Sequence, residues 1–150
     1  MRASEVVDLC REYSLFEWGT QDVNPLAIER GEGCYLYTMD GREILDFNSI
    51  AMNVNIGHGD QRITDAVSKQ MEKVSFVSPF MVTEVRAEVA KKLAEITPEG
   101  LTKSFFTLAG SDANEAAIRT ARLVTGRRKI LSRYRSYHGA THQVLALGGD

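Results

Sequence analysis

Between residues 4 and 18 apolar side chains recur at helical spacing (Val6, Leu9, Tyr13, Phe16), with Ser4 as the expected N-cap, and Trp18-Gly19 ends the pattern. The period then changes. Residues 34–39 and 42–47 are β-prone runs on either side of Asp40-Gly41, which predicts a hairpin closed by a type I′ turn with positive φ at both central positions. Residues 48–60, with Ser49, Asn53, Asn55, Gly57, His58 and Gly59, are polar and punctuated and read as a functional loop. Helical spacing returns over about 61–75, where Ile63, Ala66, Val67, Gln70, Met71 and Val74 share one mostly apolar face; Pro79 then disfavours helix at Ser78. A further helix is predicted over about 83–96, with Thr83 as N-cap, Glu84 in its first turn, an apolar stripe of Val85, Val89, Leu93 and Ile96, and Pro98 as its stop.

From residue 104 the pattern alternates. A short apolar strand is predicted over 104–108, and a tight turn, Ala109-Gly110-Ser111-Asp112, follows it. An Ala-rich helix then runs over 112–125, opening at Ser111 or Asp112 and stopped by Gly126. A second strand over 129–134 leads through Ser136-Tyr137-His138-Gly139 to a further helix from about 140. Strand, helix, strand, helix implies an α/β fold with a mainly parallel sheet and right-handed crossovers. Ligands of such sheets bind at the C-terminal ends of the strands, which here are residues 109–112 and 135–139.

Composition narrows the class. In 150 residues, 43% are hydrophobic and 25% charged, which fits a soluble globular protein with room for one core and excludes disorder, collagen and a disulfide scaffold. With 18 Lys+Arg against 20 Asp+Glu, the net charge of -2 predicts no bulk attraction to nucleic acid or anionic lipid. The basic run Arg127-Arg128-Lys129, with Arg133 and Arg135, reads as a solvated strand entry with carboxylate or cofactor-proximal contacts. Cys10 and Cys34 fit no metal-ligand spacing and are expected as free thiols in a reducing compartment, with no metal site. The N-terminus has no apolar signal core and no stretch reaches the roughly 18 apolar residues of a spanning helix, so a cytoplasmic protein is expected.

Two strand-end loops carry candidate chemistry. At Gly110-Ser111 the first N–H groups of a helix lack internal partners and, with the helix dipole, form a place for phosphate, to which the Ser111 hydroxyl adds a donor. The plainer alternative is that Ser111 or Asp112 only caps the helix. At the next strand end, Tyr137 offers a platform on which a heteroaromatic ring joined to that phosphate would stack. Here the alternative is a buried Tyr with its hydroxyl satisfied and a His bonded to backbone. No GxxxxGK[ST] and no GxGxxG is present, so neither a Walker loop nor a dinucleotide fingerprint accounts for the turn.

The ordered set of Trp18-Gly19-Thr20-Gln21, the hairpin over 35–47, Asn55-Ile56-Gly57-His58, the run from Phe105 through Gly110-Ser111-Asp112-Ala113-Asn114-Glu115, and Arg133-Tyr134-Arg135-Ser136-Tyr137-His138-Gly139 resembles the class III (ω-) aminotransferases, pyridoxal-phosphate enzymes of fold type I. The resemblance covers nearly the whole chain and matches the N-terminal part of the family. It implies that Gly110 and Ser111 hold the phosphate of pyridoxal 5'-phosphate, and that Tyr137 stacks on its ring and lines the substrate pocket. It places Met52 where many relatives carry Trp or another bulky side chain facing the substrate; His138 receives no chemical role beyond local support. It further implies a small domain containing residues 1–60, a large cofactor domain beginning at 61–150, and a homodimer.

The implied reaction is transamination of a primary amine or ω-amino acid, taurine-like or β-alanine-like, with a 2-oxo acid such as pyruvate. The Schiff-base Lys and the Asp that pairs with the pyridinium are expected beyond Asp150, so no residue here is nominated as catalytic. The 150 residues alone are then expected to be inactive and to mark a truncation. The competing reading is a non-catalytic module for a phosphorylated small molecule.

Overall fold

The computed structural model describes residues 1–16 and 19–148 and divides into two compact units, Met1–Phe76 and Val77–Asp150. Trp18 of the expected motif and Asp150 lie outside the described residues.

In the first unit, α1 spans Ala3–Tyr13. Its N-cap is Arg2, not Ser4: the Glu5 carboxylate accepts from the Arg2 backbone N–H at 2.9 Å and from its Nε at 2.8 Å. A basic residue therefore opens this helix because an acidic one in the first turn reaches back to it. The helix ends where Ser14 turns extended, short of the expected residue 18.

Three antiparallel strands follow in the order β1 (Ile28–Glu32), β2 (Tyr35–Thr38) and β3 (Glu43–Leu45). The hairpin of β2 and β3 is the expected one, registered through Tyr35↔Leu45 and Tyr37↔Glu43. Its turn is not type I′. Only Gly41 of the central pair has positive φ (86°), and its N–H donates to the Thr38 carbonyl at 2.9 Å. That is a three-residue loop with a left-handed glycine at its exit. The buried Thr38 hydroxyl pairs with the Asp40 carboxylate and accepts from the Arg42 N–H at 2.9 Å, so the turn satisfies its own polar groups. Strand β1 was not expected, because Ile-Glu-Arg-Gly-Glu shows no apolar alternation; its backbone pairs with β2 while its side chains stay largely in solvent.

The polar stretch 48–60 contains a short helical turn, α2 (Ser49–Met52), that winds left-handed: φ is 52° at Ser49, 47° at Ile50, 53° at Ala51 and 66° at Met52. None of the four is glycine, and left-handed backbone costs L-residues about 1–2 kcal/mol each, so the turn needs external support. Helix α3 then spans Gln61–Lys73, its N-cap Asp60 accepting from the Arg62 N–H at 2.9 Å.

In the second unit, α4 (Glu84–Ile96) starts as expected, with the Thr83 hydroxyl accepting from the Arg86 N–H. Helix α5 (Gly110–Thr125) ends on left-handed Gly126 (φ 68°), also as expected. Helix α6 (His142–Gly148) packs against α5, with Ile118 and Val144 buried. Among the described residues 104–108 and 129–134 form no strand ladder, so the sheet present is the antiparallel one of the first unit. A parallel strand needs a neighbour on its hydrogen-bonding edge, and neither of these segments pairs with the other. Phe105 is 81% exposed, Leu108 99% and Leu131 100%.

Burial is correspondingly sparse. Among the described residues the buried apolar side chains are Val7, Ile118 and Val144. The accessible surface is 13023 Å². Two separate folded units, each of about 8 kDa, would together expose about 9,200 Å². An open groove of about 1100 Å³ along α5, lined by Phe105, Ala117, Ala121 and Val124 among others, is part of this uncovered apolar surface.

Candidate functional site

The phosphate-binding expectation centres on the start of α5. The helix opens at Gly110, one residue before Ser111 and two before Asp112: Ala109 is the N-cap, and no side chain caps it. Ser111 and Asp112 are thus inside the first turn and do not serve as caps. The first intrahelical bond runs from the Ala113 N–H to the Ala109 carbonyl at 3.0 Å, so the N–H groups of Gly110, Ser111 and Asp112 have no intrahelical acceptor. A Cβ at Gly110 would meet nothing within 4 Å, which leaves the approach to these donors open.

The loop before α6 lies directly against this helix start. Gly139 has φ 131°, and a Cβ there would stand 2.3 Å from Ser111 Oγ and 2.9 Å from its Cα. The Ala140 N–H reaches Ser111 Oγ at 3.3 Å. With Oγ accepting from that amide, the hydroxyl proton is directed elsewhere and remains available as a donor. Two residues upstream, Tyr137 is 65% exposed, which overturns the alternative of a buried Tyr. His138 is tied through its carbonyl, which accepts from Asn114 Nδ2 at 2.7 Å, while its ring Nε2 is buried with no partner.

Asn114 and Glu115 lie one turn after Ser111, and sequence reasoning quoted them without a role. The Glu115 carboxylate accepts from Thr141 Oγ1 at 2.8 Å, from the Gln143 N–H at 2.9 Å and from Gln143 Nε2 at 2.7 Å. It joins α5 to the first turn of α6, and the Thr141 hydroxyl above all holds its pKa below the ordinary 4.5, against an opposing desolvation. Arg122 continues the network to Gln143 Oε1 and to the Arg128 carbonyl. The available signal was the i+3, i+4 spacing from Ser111, which sets all three residues on one side of the helix.

These observations fit pyridoxal phosphate. Uncapped N–H groups suit a dianion, the Ser111 hydroxyl adds a donor, Gly139 permits close packing of the loop, and the exposed Tyr137 lies in that same loop. Met52 belongs to the first unit, at the end of the left-handed turn, and is 77% exposed. Cys10 and Cys34 are free and exposed. No helix among the described residues is long and apolar enough to cross a membrane.

A helix start of this kind beside a glycine-bearing aromatic loop suits the class of phosphate-anchored cofactor proteins, and comparison with known proteins gives the family. The profile of aminotransferase class-III matches residues 18–150. Acetylornithine aminotransferase of Archaeoglobus fulgidus is 38% identical over 81% of this chain and 32% of its own length. Putrescine–pyruvate aminotransferase of Pseudomonas aeruginosa is 32% identical over 81% of this chain and 28% of its own. The structure of taurine:2-oxoglutarate aminotransferase from Bifidobacterium kashiwanohense, in complex with PLP and glutamate, superposes with a TM-score of 0.89 at 37% identity, over 94% of this chain and 32% of that one.

The chain belongs to the class III aminotransferases, a pyridoxal-phosphate-dependent family, and has the α/β fold of its N-terminal part. It spans about a third of the length of these three relatives. A non-catalytic binding module finds no support among them.

Proposed function

We propose that the protein containing this chain transfers an amino group from a primary amine or ω-amino acid, taurine-like or β-alanine-like, to a 2-oxo acid such as pyruvate. The observation that carries the reading is the uncapped start of α5 with Gly139 packed onto Ser111. The named activities of the relatives support the breadth of the donor class: one acts on taurine, one on putrescine with pyruvate, one on acetylornithine.

Pyridoxal phosphate, when bound, supplies an electron sink for charge developing beside the amine carbon. This chain supplies its anchorage. The N–H groups at Gly110 and Ser111 and the Ser111 hydroxyl hold the phosphate, Tyr137 stacks on the ring and helps line the substrate pocket, and Met52 faces the amine. Met is flexible and polarizable, so a pocket shaped by it accommodates donors that a rigid ring would reject. The lysine and the pyridinium-pairing aspartate lie outside these residues. Residues 1–60 belong to a small domain and 61–150 begin the large one. The exposed apolar surface of 104–108, 129–134 and α5 is covered by further chain of the same protein and by a second subunit in a cytoplasmic homodimer.

The test is spectral. Full-length protein loaded with pyridoxal phosphate should absorb in the visible range, and an amine donor should change that spectrum in a way pyruvate reverses. Full-length protein that stays colourless with added cofactor refutes the reading.

A further inference from the structure

The left-handed turn α2 raises a question the cofactor site does not answer: four successive non-glycine residues hold positive φ, and Met52 is the last of them. Side chains on either side of the turn support it: Asn53 Nδ2 donates to the Ile50 carbonyl at 2.8 Å, and the shortest side-chain bond to an N–H within the turn comes from a carboxylate. Asp46 Oδ1 accepts from the Ile50 N–H at 2.9 Å, inside the turn, and Asp46 Oδ2 lies 2.8 Å from His58 Nε2. Asn48 Oδ1 adds a longer bond from the Ala51 N–H at 3.2 Å. The Asp46 side chain is 5% exposed and that of His58 15%, so both are largely shielded from competing water.

The two residues are themselves fixed to the sheet. The Asp46 N–H donates to the Cys34 carbonyl at 2.8 Å, extending the hairpin ladder by one bond. His58 exchanges two backbone bonds with Gly33, at 2.8 and 3.0 Å. The His58 ring lies so close over Gly31 that a Cβ there would stand 2.7 Å from its Cβ and Cγ. Sheet, histidine, carboxylate and strained turn thus form one continuous chain of short contacts.

We propose that Asp46 is a positioning residue for amine binding: braced by His58, its carboxylate holds the left-handed turn and thereby sets where Met52 meets the amine. The proposal rests on the reading of Met52 given above. Asp46 touches neither substrate nor cofactor; it acts through the turn.

The test uses full-length protein and two readouts. In Asp46→Ala, amide exchange at Ile50 and Ala51 should accelerate about tenfold or more, because a hydrogen bond to a charged acceptor is lost, while exchange in α5 stays unchanged. The KM for the amine should rise about tenfold with kcat changed less than about threefold, the pattern of lost ground-state binding. Met52→Ala should affect KM in the wild type and add little in the Asp46→Ala background, since the two act on one contact. Asp46→Asn keeps an acceptor for Ile50 and should recover most of both effects, which also serves if the alanine variant fails to fold.

Unchanged exchange at Ile50 overturns the proposal. So does faster exchange with an unchanged amine KM, or additive effects of Asp46 and Met52. If wild-type protein takes up cofactor but turns over no amine, the aminotransferase reading fails, and the exchange comparison still decides whether Asp46 holds the turn.

Discussion

The loop of the first unit around Asp46 and His58 and the loop of the second around Ser111 and Gly139 are built from similar parts: a glycine packed without room for a Cβ, a histidine, and a short polar side chain accepting a backbone N–H. They differ in what they leave unmet. Asp46 uses both carboxylate oxygens within the chain, on Ile50 and on His58. The second loop leaves the start of α5 uncapped and a buried His138 nitrogen without a partner. The first uses its polar groups to hold a strained backbone; the second leaves the donors at the start of α5 unmet within the chain, as the proposed phosphate site requires. Substitutions should therefore damage shape in one and ligand affinity in the other.

The sharpest way to break this contrast is Gly139→Ala. Its φ of 131° strains any L-residue, and the new Cβ meets backbone as well as side-chain atoms of Ser111. Overpacking and strain together cost about 3 kcal/mol, so affinity for pyridoxal phosphate should fall about 100-fold by titration of the full-length apoprotein. Retained affinity would mean that the loop and the helix start need not touch.

Gly31→Ala is the counterpart. The added methyl meets His58 Cβ, whose place is fixed because the His58 backbone makes two bonds to Gly33. A loss of about 1–3 kcal/mol in stability is expected, read from the urea midpoint, with cofactor affinity unchanged. A fall in affinity matching that of Gly139→Ala would erase the distinction between the loops. Ser111→Ala should be milder than Gly139→Ala: losing one hydrogen bond to a charged phosphate weakens cofactor binding about tenfold, with little change in the urea midpoint.

The same contrast explains what the sequence made legible. Helices α3 and α4 followed from spacing and caps, and the hairpin from Asp40-Gly41, because local chemistry decides them. The donors left open at Gly110 and Ser111 were readable because a helix start leaves its first N–H groups unmet at fixed offsets. What escaped depends on particular partners and not on the pattern of the segment itself. β1 exists because β2 offers an edge, not because of its own side chains. Arg2 caps α1 only because Glu5 reaches back, a residue type no cap preference would select. The left-handed turn was hidden altogether: Ser-Ile-Ala-Met contains no glycine, and its conformation is held by an aspartate before it and a histidine beyond it. The segments 104–108 and 129–134 have strand sequence without strand pairing, since a ladder is a property of two segments.

The smallest expected effect concerns Glu115, the residue that holds the second loop in place without meeting a ligand. Its folded pKa lies below the ordinary 4.5, first through the Thr141 hydroxyl and then through the amides of Gln143 and Val144, with burial opposing. A group lowered on folding stabilises the native state above its unfolded pKa, and that contribution is lost as pH falls through the folded value. Other carboxylates here, Asp46 and Asp60 among them, are lowered too, so the wild-type pH profile alone does not isolate Glu115. The difference between wild type and Glu115→Gln does. Gln offers one acceptor oxygen and turns an amide toward the donors of Thr141 and Gln143, so it should unfold at lower urea than wild type at pH 7. The gap should begin to close as pH drops below 4.5 and go on closing as pH passes the lower folded pKa, where wild-type Glu115 takes up a proton and accepts more weakly. A gap that stays constant to pH 3 would show that these bonds do not depend on the charge.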